Sequence, residues 1–99
     1  MIKIVICCSQ GMTSSILVRK MREYIEQNHL DMSVRTGNVD RVINHELNFD
    51  ILLLGPQIRT EKQRLKKLFP EKSIEVIEMK AYGRLDGESI IKYVLTLIQ

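Results

Sequence analysis

The sequence predicts an α/β fold: three layers, with a four-stranded parallel sheet in the spatial order 2-1-3-4 and helices on both of its faces. Three observations lead there. Short β-like runs alternate with helix-like stretches along the chain, the pattern of successive β-α units. The first and third β-like runs, Ile2 to Cys7 and Asp50 to Leu54, are predominantly apolar, as strands buried on both faces are. The second and fourth, Met32 to Thr36 and Ser73 to Ile77, interleave Ser, Arg and Glu with apolar residues, as edge strands do. Placing the apolar pair centrally, with right-handed crossovers, gives the order 2-1-3-4.

Each element follows from local signals. After the first strand, Leu17, Met21, Tyr24 and Ile25 recur on one helical face and predict a helix from about Ser14 to Asn28. Beyond the second strand, Gly37-Asn38 breaks the chain, and Asn38 is suited to cap a short helix reaching His45. The third strand ends at Gly55-Pro56. A third helix from about Ile58 to Phe69 is expected to bury Ile58, Leu65, Leu68 and Phe69 and to stop at Pro70. Asp86-Gly87 opens a last helix carrying Ile90, Ile91, Val94, Leu95 and Ile98.

With 99 residues the chain fits one domain, residues 1–99, and leaves no room for a second core. Its longest apolar runs are too short to cross a bilayer. Met1-Ile2-Lys3-Ile4-Val5-Ile6 lacks the long apolar core and small-residue cleavage site of a secretion signal, so a cytoplasmic location is expected. A net charge of +3 is a weak field, and a chain with no Trp has few base-stacking platforms, which argues against nucleic acid. The two cysteines, Cys7 and Cys8, are adjacent, which strains a mutual disulfide and falls short of a structural zinc site. No metal and no cofactor are expected.

The strand order creates a topological switch point: the chain turns one way after strand one and the other way after strand three. Open α/β sheets bind ligands there, beyond the carboxyl ends of the strands. Two loops meet at that place, Cys8-Ser9-Gln10-Gly11-Met12-Thr13-Ser14-Ser15 and Gly55-Pro56-Gln57. The first has a thiol at its start, Gly11 in its middle and hydroxyls at its end. Such a loop, running into a helix N-terminus, turns backbone N–H groups and partial positive charge onto an oxyanion. Gly11 is expected to supply an unusual backbone conformation, and Ser14 and Ser15 to cap the helix and donate hydroxyls. Cys8 begins the turn where those dipoles converge, so its pKa is expected to fall, whereas Cys7 ends the strand as a small hydrophobe. A Cys packed in the core and a Ser/Thr-rich helix cap are the plain alternative.

What the loop lacks narrows the chemistry. A cysteine phosphatase loop would carry Arg at the position of Ser14, where a guanidinium clamps the transferring phosphoryl group. The first loops also lack an evident Asp acid. A nucleophile and cradle without that Arg suit a relay that hydrolyses its thiophosphate slowly better than they suit a hydrolase.

These residues resemble a known family, the IIB component of the phosphoenolpyruvate-dependent sugar phosphotransferase system, lactose/cellobiose (chitobiose) type. The resemblance is carried by Cys8-Ser9-Gln10-Gly11-Met12-Thr13-Ser14-Ser15, by Leu54-Gly55-Pro56-Gln57 and by Tyr82-Gly83-Arg84-Leu85-Asp86-Gly87, and covers nearly the whole chain. It implies a Rossmann-like sandwich similar to the low-molecular-weight tyrosine phosphatases. It implies that Cys8 is the phosphocysteine nucleophile, charged by a phosphohistidine of a IIA component and discharged to a sugar, a β-linked disaccharide, held by a membrane-embedded IIC component. Ser9, Gln10, Gly11, Met12, Thr13 and Ser14 would form the phosphate cradle, with Ser15 as cap and hydroxyl donor. Gln57 and Arg59 would face the crevice or a partner. A cytoplasmic monomer is expected, the default for a relay that must expose its loop to two partners in turn, associated with the membrane only through IIC. Thr13-Ser14 reverses the commoner Ser-Thr order, Cys7 stands where the family is more often apolar, and Thr60 and Glu61 replace larger apolar residues.

Two rival classes remain: a stand-alone thiol enzyme (a small phosphatase or a Cys7–Cys8 redox protein) and a regulatory module that keeps the fold for partner binding. His29 and His45 read as helix-end residues. Arg59, Lys62, Arg64, Lys66 and Lys67 read as a solvated basic face or a dock for an acidic partner. Tyr82-Gly83 and Asp86-Gly87 read as a turn and a helix start without chemistry.

Overall fold

In a computed structural model of the protein, which describes residues 1–8 and 11–98 and leaves the side chains of 11–14 undescribed, four strands form one parallel sheet in the order β2-β1-β3-β4. The strands are β1 (Ile2–Cys7), β2 (Met32–Gly37), β3 (Ile51–Leu54) and β4 (Ser73–Val76). The helices are α1 (Gly11–Gln27), α2 (Val39–Ile43), α3 (Glu61–Leu68), α4 (Met79–Gly83) and α5 (Gly87–Leu97), with a 3-10 turn at Pro56–Ile58. The expected order and the two central strands are those observed.

Period-two alternation along β1 and β3 divides the core between the faces of the sheet. Ile4, Ile6, Ile51 and Leu53 point to one side, where they meet Leu17, Val18, Met21 and Ile25 of α1 and Ile90, Ile91 and Val94 of α5. Val5, Cys7, Leu52 and Leu54 point to the other, against Val42 of α2 and Leu65 of α3. Each such aliphatic side chain, taken from water to full burial, contributes about 1.5–3 kcal/mol. Gly87 sets the spacing of the first layer. A Cβ there would lie 2.7 Å from the backbone N of Met21 and 2.8 Å from the carbonyl carbon of Lys20, so α5 meets the backbone of α1 directly.

Caps fix the helix ends as their residue types dictate. Asn38 accepts from Arg41 N at 2.8 Å, and Asp86 accepts from Ser89 N at 3.1 Å and from Ser89 Oγ at 2.7 Å. Three helices close through a left-handed residue without glycine: His29 after α1, His45 after α2 and Leu85 after α4. In each case the paired bonds of a Schellman closure are present, for example Leu85 N to Tyr82 O at 3.1 Å and Asp86 N to Ala81 O at 2.9 Å.

Several expectations are corrected. The third helix is two elements, because Pro56 opens a 3-10 turn and Arg59-Thr60 separate it from α3. Leu68 is 51% exposed rather than buried: α3 turns only Leu65 onto the sheet, and the chain leaves the helix at Phe69 before another apolar position comes round. The first helix starts at Gly11, three residues earlier than expected. A short helix, α4, occupies a segment expected to be only a turn.

Candidate functional site at the carboxyl ends of the central strands

The chain leaves the sheet between Cys7 and Cys8, and strand alternation sends the two thiols to opposite faces. Cys7 is fully buried in the α2/α3 core, where burial, with Cys8 beside it, pushes its pKa up to about 12. At neutral pH it is an inert thiol. Cys8 is half-buried against the α1/α5 core and opens toward the crevice between the two central strand ends.

Across that crevice lies the turn after β3. Gly55 N donates to Cys7 O at 2.8 Å, which holds the two strand ends together. Gly55 has φ −61° and ψ 151°, a conformation open to any residue, so its lack of a side chain matters for space. A Cβ at Gly55 would stand 3.2 Å from Cys8 Sγ and 3.1 Å from Gln57 Oε1. The sulfur and the Gln57 amide oxygen therefore converge on the same spot, one from each loop. Gln57 is exposed on the 3-10 turn, with its amide oxygen at the same glycine as the Cys8 sulfur. Arg59 also lies past this turn, with Nη1 donating to Pro56 O at 3.2 Å, so its guanidinium is tied to the turn's own backbone.

A third element that the sequence did not disclose shares the core against which Cys8 packs. Tyr82 of α4 is 7% exposed and is buried in the α1/α5 core, where its side chain favours the Cys8 thiolate. Burial, with Cys8 beside it, pushes the Tyr82 pKa up to about 12, so the phenol stays protonated. One signal could have found it. Tyr82 is an aromatic with a polar tip just past the last strand, at the same end of the sheet as Cys8, and a buried tyrosine hydroxyl needs a partner.

Of the expected cradle, Ser9 and Gln10 lie outside the described residues, as do the side chains of Met12, Thr13 and Ser14. The backbone from Gly11 to Ser14 is the first turn of α1, where N–H groups have no acceptor within the helix. Gly11 is thus an ordinary first helical residue rather than a special turn. Ser14 and Ser15 sit inside the helix rather than capping it, with Ser15 exposed. A glycine and small hydroxyl residues are compatible with a first helical turn, and the helix simply takes them up.

The electrostatics of Cys8 also require a correction. Its pKa is raised, because burial outweighs the influence of Tyr82 and of the Gly55 N–H, which favour the thiolate. The resting sulfur is a thiol. The remaining titratable candidates stand apart: His45 packs edge-on against Phe69 with ring centres 5.3 Å apart, on the α2/α3 side. In the α3 basic stretch, Lys62 pairs with Glu75 of β4 at 3.5 Å and Arg64 with Glu61 at 3.4 Å. Among the described residues no three His, Cys, Asp or Glu side chains are grouped as a metal ion would need, and no helix is long and apolar enough to cross a membrane.

Comparison with known proteins agrees with this geometry. Residues 3–93 match the family model described as the phosphotransferase system lactose/cellobiose-specific IIB subunit. The oligo-beta-mannoside-specific EIIB component of Bacillus subtilis (strain 168) is 35% identical over 98 residues, covering 97% of this chain and 95% of that protein. The cellobiose-specific EIIB component of Lactococcus lactis subsp. lactis (strain IL1403) is 30% identical over 95 residues, covering 89% and 88%. In fold, the chain superposes on the lactose-specific IIB domain of Streptococcus pneumoniae with a TM-score of 0.86 at 19% identity, covering 99% of this chain and 98% of that one. The chain thus belongs to the lactose/cellobiose-specific IIB family of the sugar phosphotransferase system, and its work is phosphoryl transfer in sugar uptake.

Proposed function

We propose that Cys8 is the residue that carries the phosphoryl group. The observation that carries this reading is the convergence at one spot of the Cys8 sulfur, Gly55 and the Gln57 amide, at the switch point of the sheet and beside the first turn of α1. Cys7, fully buried on the other face, has no access to a donor. The cradle is formed by backbone N–H groups of residues 9–14, with Ser15 at its rim and Gln57 across the crevice. A group of three phosphoryl oxygens needs several donors held in advance, and the first-turn amides of α1, which have no acceptor within the helix, suit that need.

The reaction runs in two steps. The thiol sulfur attacks the phosphorus of a IIA phosphohistidine in line; the S–P bond forms, the N–P bond breaks, and the thiol proton ends on the released imidazole. The hydroxyl of a sugar held by IIC then attacks the same phosphorus, and its proton returns to sulfur. The domain, residues 1–99, acts as a cytoplasmic monomer that reaches the membrane only through IIC, exposing one crevice to two partners in turn. The sugar is a β-linked disaccharide or oligosaccharide, in line with the relatives specific for cellobiose and oligo-beta-mannosides.

The test is sugar phosphorylation in a reconstituted system of general carriers, IIA, this chain and IIC membranes. Cys8→Ser should abolish it and Cys7→Ala should leave it largely intact. Retained transfer in Cys8→Ser would overturn the assignment.

A further inference from the structure

The sheet has two open edges, β2 and β4, and each turns a row of backbone N–H and C=O groups toward any strand that approaches. The pairing shows which groups these are, because successive residues of a strand send their backbone groups to opposite sides. Ile2 N donates to Asp31 O at 3.1 Å, so the odd-numbered residues from Asp31 onward face β1 and Val34 faces outward. Ser73 N donates to Asp50 O at 3.4 Å and Ile77 N to Leu54 O at 2.8 Å, so the backbone of Ser73, Glu75 and Ile77 faces β3. Ile74 and Val76 therefore offer theirs to the open side of β4.

Charged side chains lie across both edges. On β2, Arg22 of α1 donates from Nε to Val34 O at 3.0 Å, which takes up one outward carbonyl. On β4 the cover comes from both layers. Ile74 and Val76 pack on the α2/α3 core, so the Glu75 side chain between them points to the other face, where the Tyr93 hydroxyl of α5 donates to Oε1 at 3.2 Å. Lys62 belongs to α3, on the opposite face, yet its Nζ reaches the same Oε1 at 3.5 Å. Since β3 fills the inner side of β4, the lysine arm passes around the outer side. Glu75 thus clasps α3 to α5 across the open edge.

We propose that Lys62 and Glu75 guard β4 against pairing with the β4 of a second copy of this chain. The surface they cover is self-complementary. Two β4 strands related by a two-fold axis run antiparallel, and the outward groups of Ile74 and Val76 in one meet those of the other, which joins two four-stranded sheets into one. An ammonium group lying in that path must be displaced or desolvated before the strands close. The proposal rests on the reading of the chain as a monomer that shows one crevice to two partners in turn, and it names what in the fold keeps it so.

Sedimentation velocity over a range of concentrations tests it, comparing the parent with Lys62→Ser, Glu75→Thr and Arg64→Ser. Arg64 pairs with Glu61 within α3, so Arg64→Ser matches the charge change of Lys62→Ser without opening the edge. Lys62→Ser and Glu75→Thr should shift from 11.5 kDa toward twice that mass as concentration rises, while the parent and Arg64→Ser hold at 11.5 kDa. Hydrogen exchange then locates the contact: the amides of Ile74 and Val76 should become protected in the associated variants. Lys62 and Glu75 are both partly exposed, and circular dichroism checks that the fold is kept; if one variant loses it, the other decides. A monomeric parent with monomeric Lys62→Ser and Glu75→Thr would overturn the guard alone. So would association that leaves Ile74 and Val76 exchanging as in the parent, or association of Arg64→Ser equal to that of Lys62→Ser. A parent that already sediments as a dimer would overturn the monomer reading itself.

Discussion

Gly55→Ala separates stability from transfer, because the structure assigns this glycine a spatial role and no conformational one. Its φ of −61° and ψ of 151° suit alanine, so the substitution loses nothing in the folded backbone and restricts the unfolded chain, a gain of about 0.4–1 kcal/mol. The new methyl would stand 3.1 Å from Gln57 Oε1 and 3.2 Å from Cys8 Sγ, each a few tenths of an ångström too close. Gln57 is exposed and yields by swinging out; Cys8 has a single rotatable bond and a packed core behind it. Crowding of this size costs about as much as the entropy gain returns, so the melting temperature should stay within about 5 °C of the parent. Transfer should suffer more. If an ångström of misplacement costs about a hundredfold, a third of an ångström costs roughly fivefold, with the loss of the Gln57 contact added. Rapid-quench measurement of Cys8 phosphorylation from phospho-IIA, beside a thermal melt, tests both halves. Undiminished transfer, or a melting temperature lowered by more than about 10 °C, would refute the reasoning.

Other perturbations test other parts of the account. Gly87→Ala forces a methyl into the α1 backbone, with 2.7 Å to Met21 N, and should destabilise by about 1–3 kcal/mol, a melting temperature about 5–15 °C lower; an unchanged melt would mean the two helices part without cost. Alkaline stability should fall as pH rises from 9 toward 12. The Cys7 pKa is raised in the folded state, so between those values the native chain holds a proton that the unfolded chain releases. Each such group contributes a slope of up to about 1.4 kcal/mol per pH unit, and denaturant titrations of Cys7→Ala should show a shallower decline; an equal slope would mean that Cys7 does not titrate as placed. Mild oxidation should modify Cys8 and leave Cys7 free, because the thiols face opposite sides of the sheet. A Cys7–Cys8 disulfide by peptide mapping would revive the redox alternative.

The sheet was legible because its central and edge strands differ in composition. Ile51-Leu52-Leu53-Leu54 is apolar at every position and must be covered on both sides, whereas Met32-Ser33-Val34-Arg35 alternates and needs cover on one. Asn38 and Asp86 announced their helices through side-chain chemistry that acts within three residues. Less local features stayed hidden. The start of α1 is not marked by its residues, since Gly11 and the hydroxyls after it suit either a loop or a first turn. Helix α4 is five residues long, too short to show a period, and its left-handed stop is a leucine rather than the usual glycine. Tyr82 was missed for the same reason, because its place beside Cys8 depends on where that short helix lands. The raised pKa of Cys8 was missed because the loop suggests dipoles, whereas burial is set by packing between elements distant in sequence.

The most direct measurement is peptide-resolved mass spectrometry of the chain after reaction with phosphoenolpyruvate and the upstream carriers. The account predicts one phosphoryl group, on Cys8, held as an acid-stable thiophosphate and discharged when IIC and sugar are added. Phosphate on Cys7, on His29 or His45, or on no residue at all would contradict it.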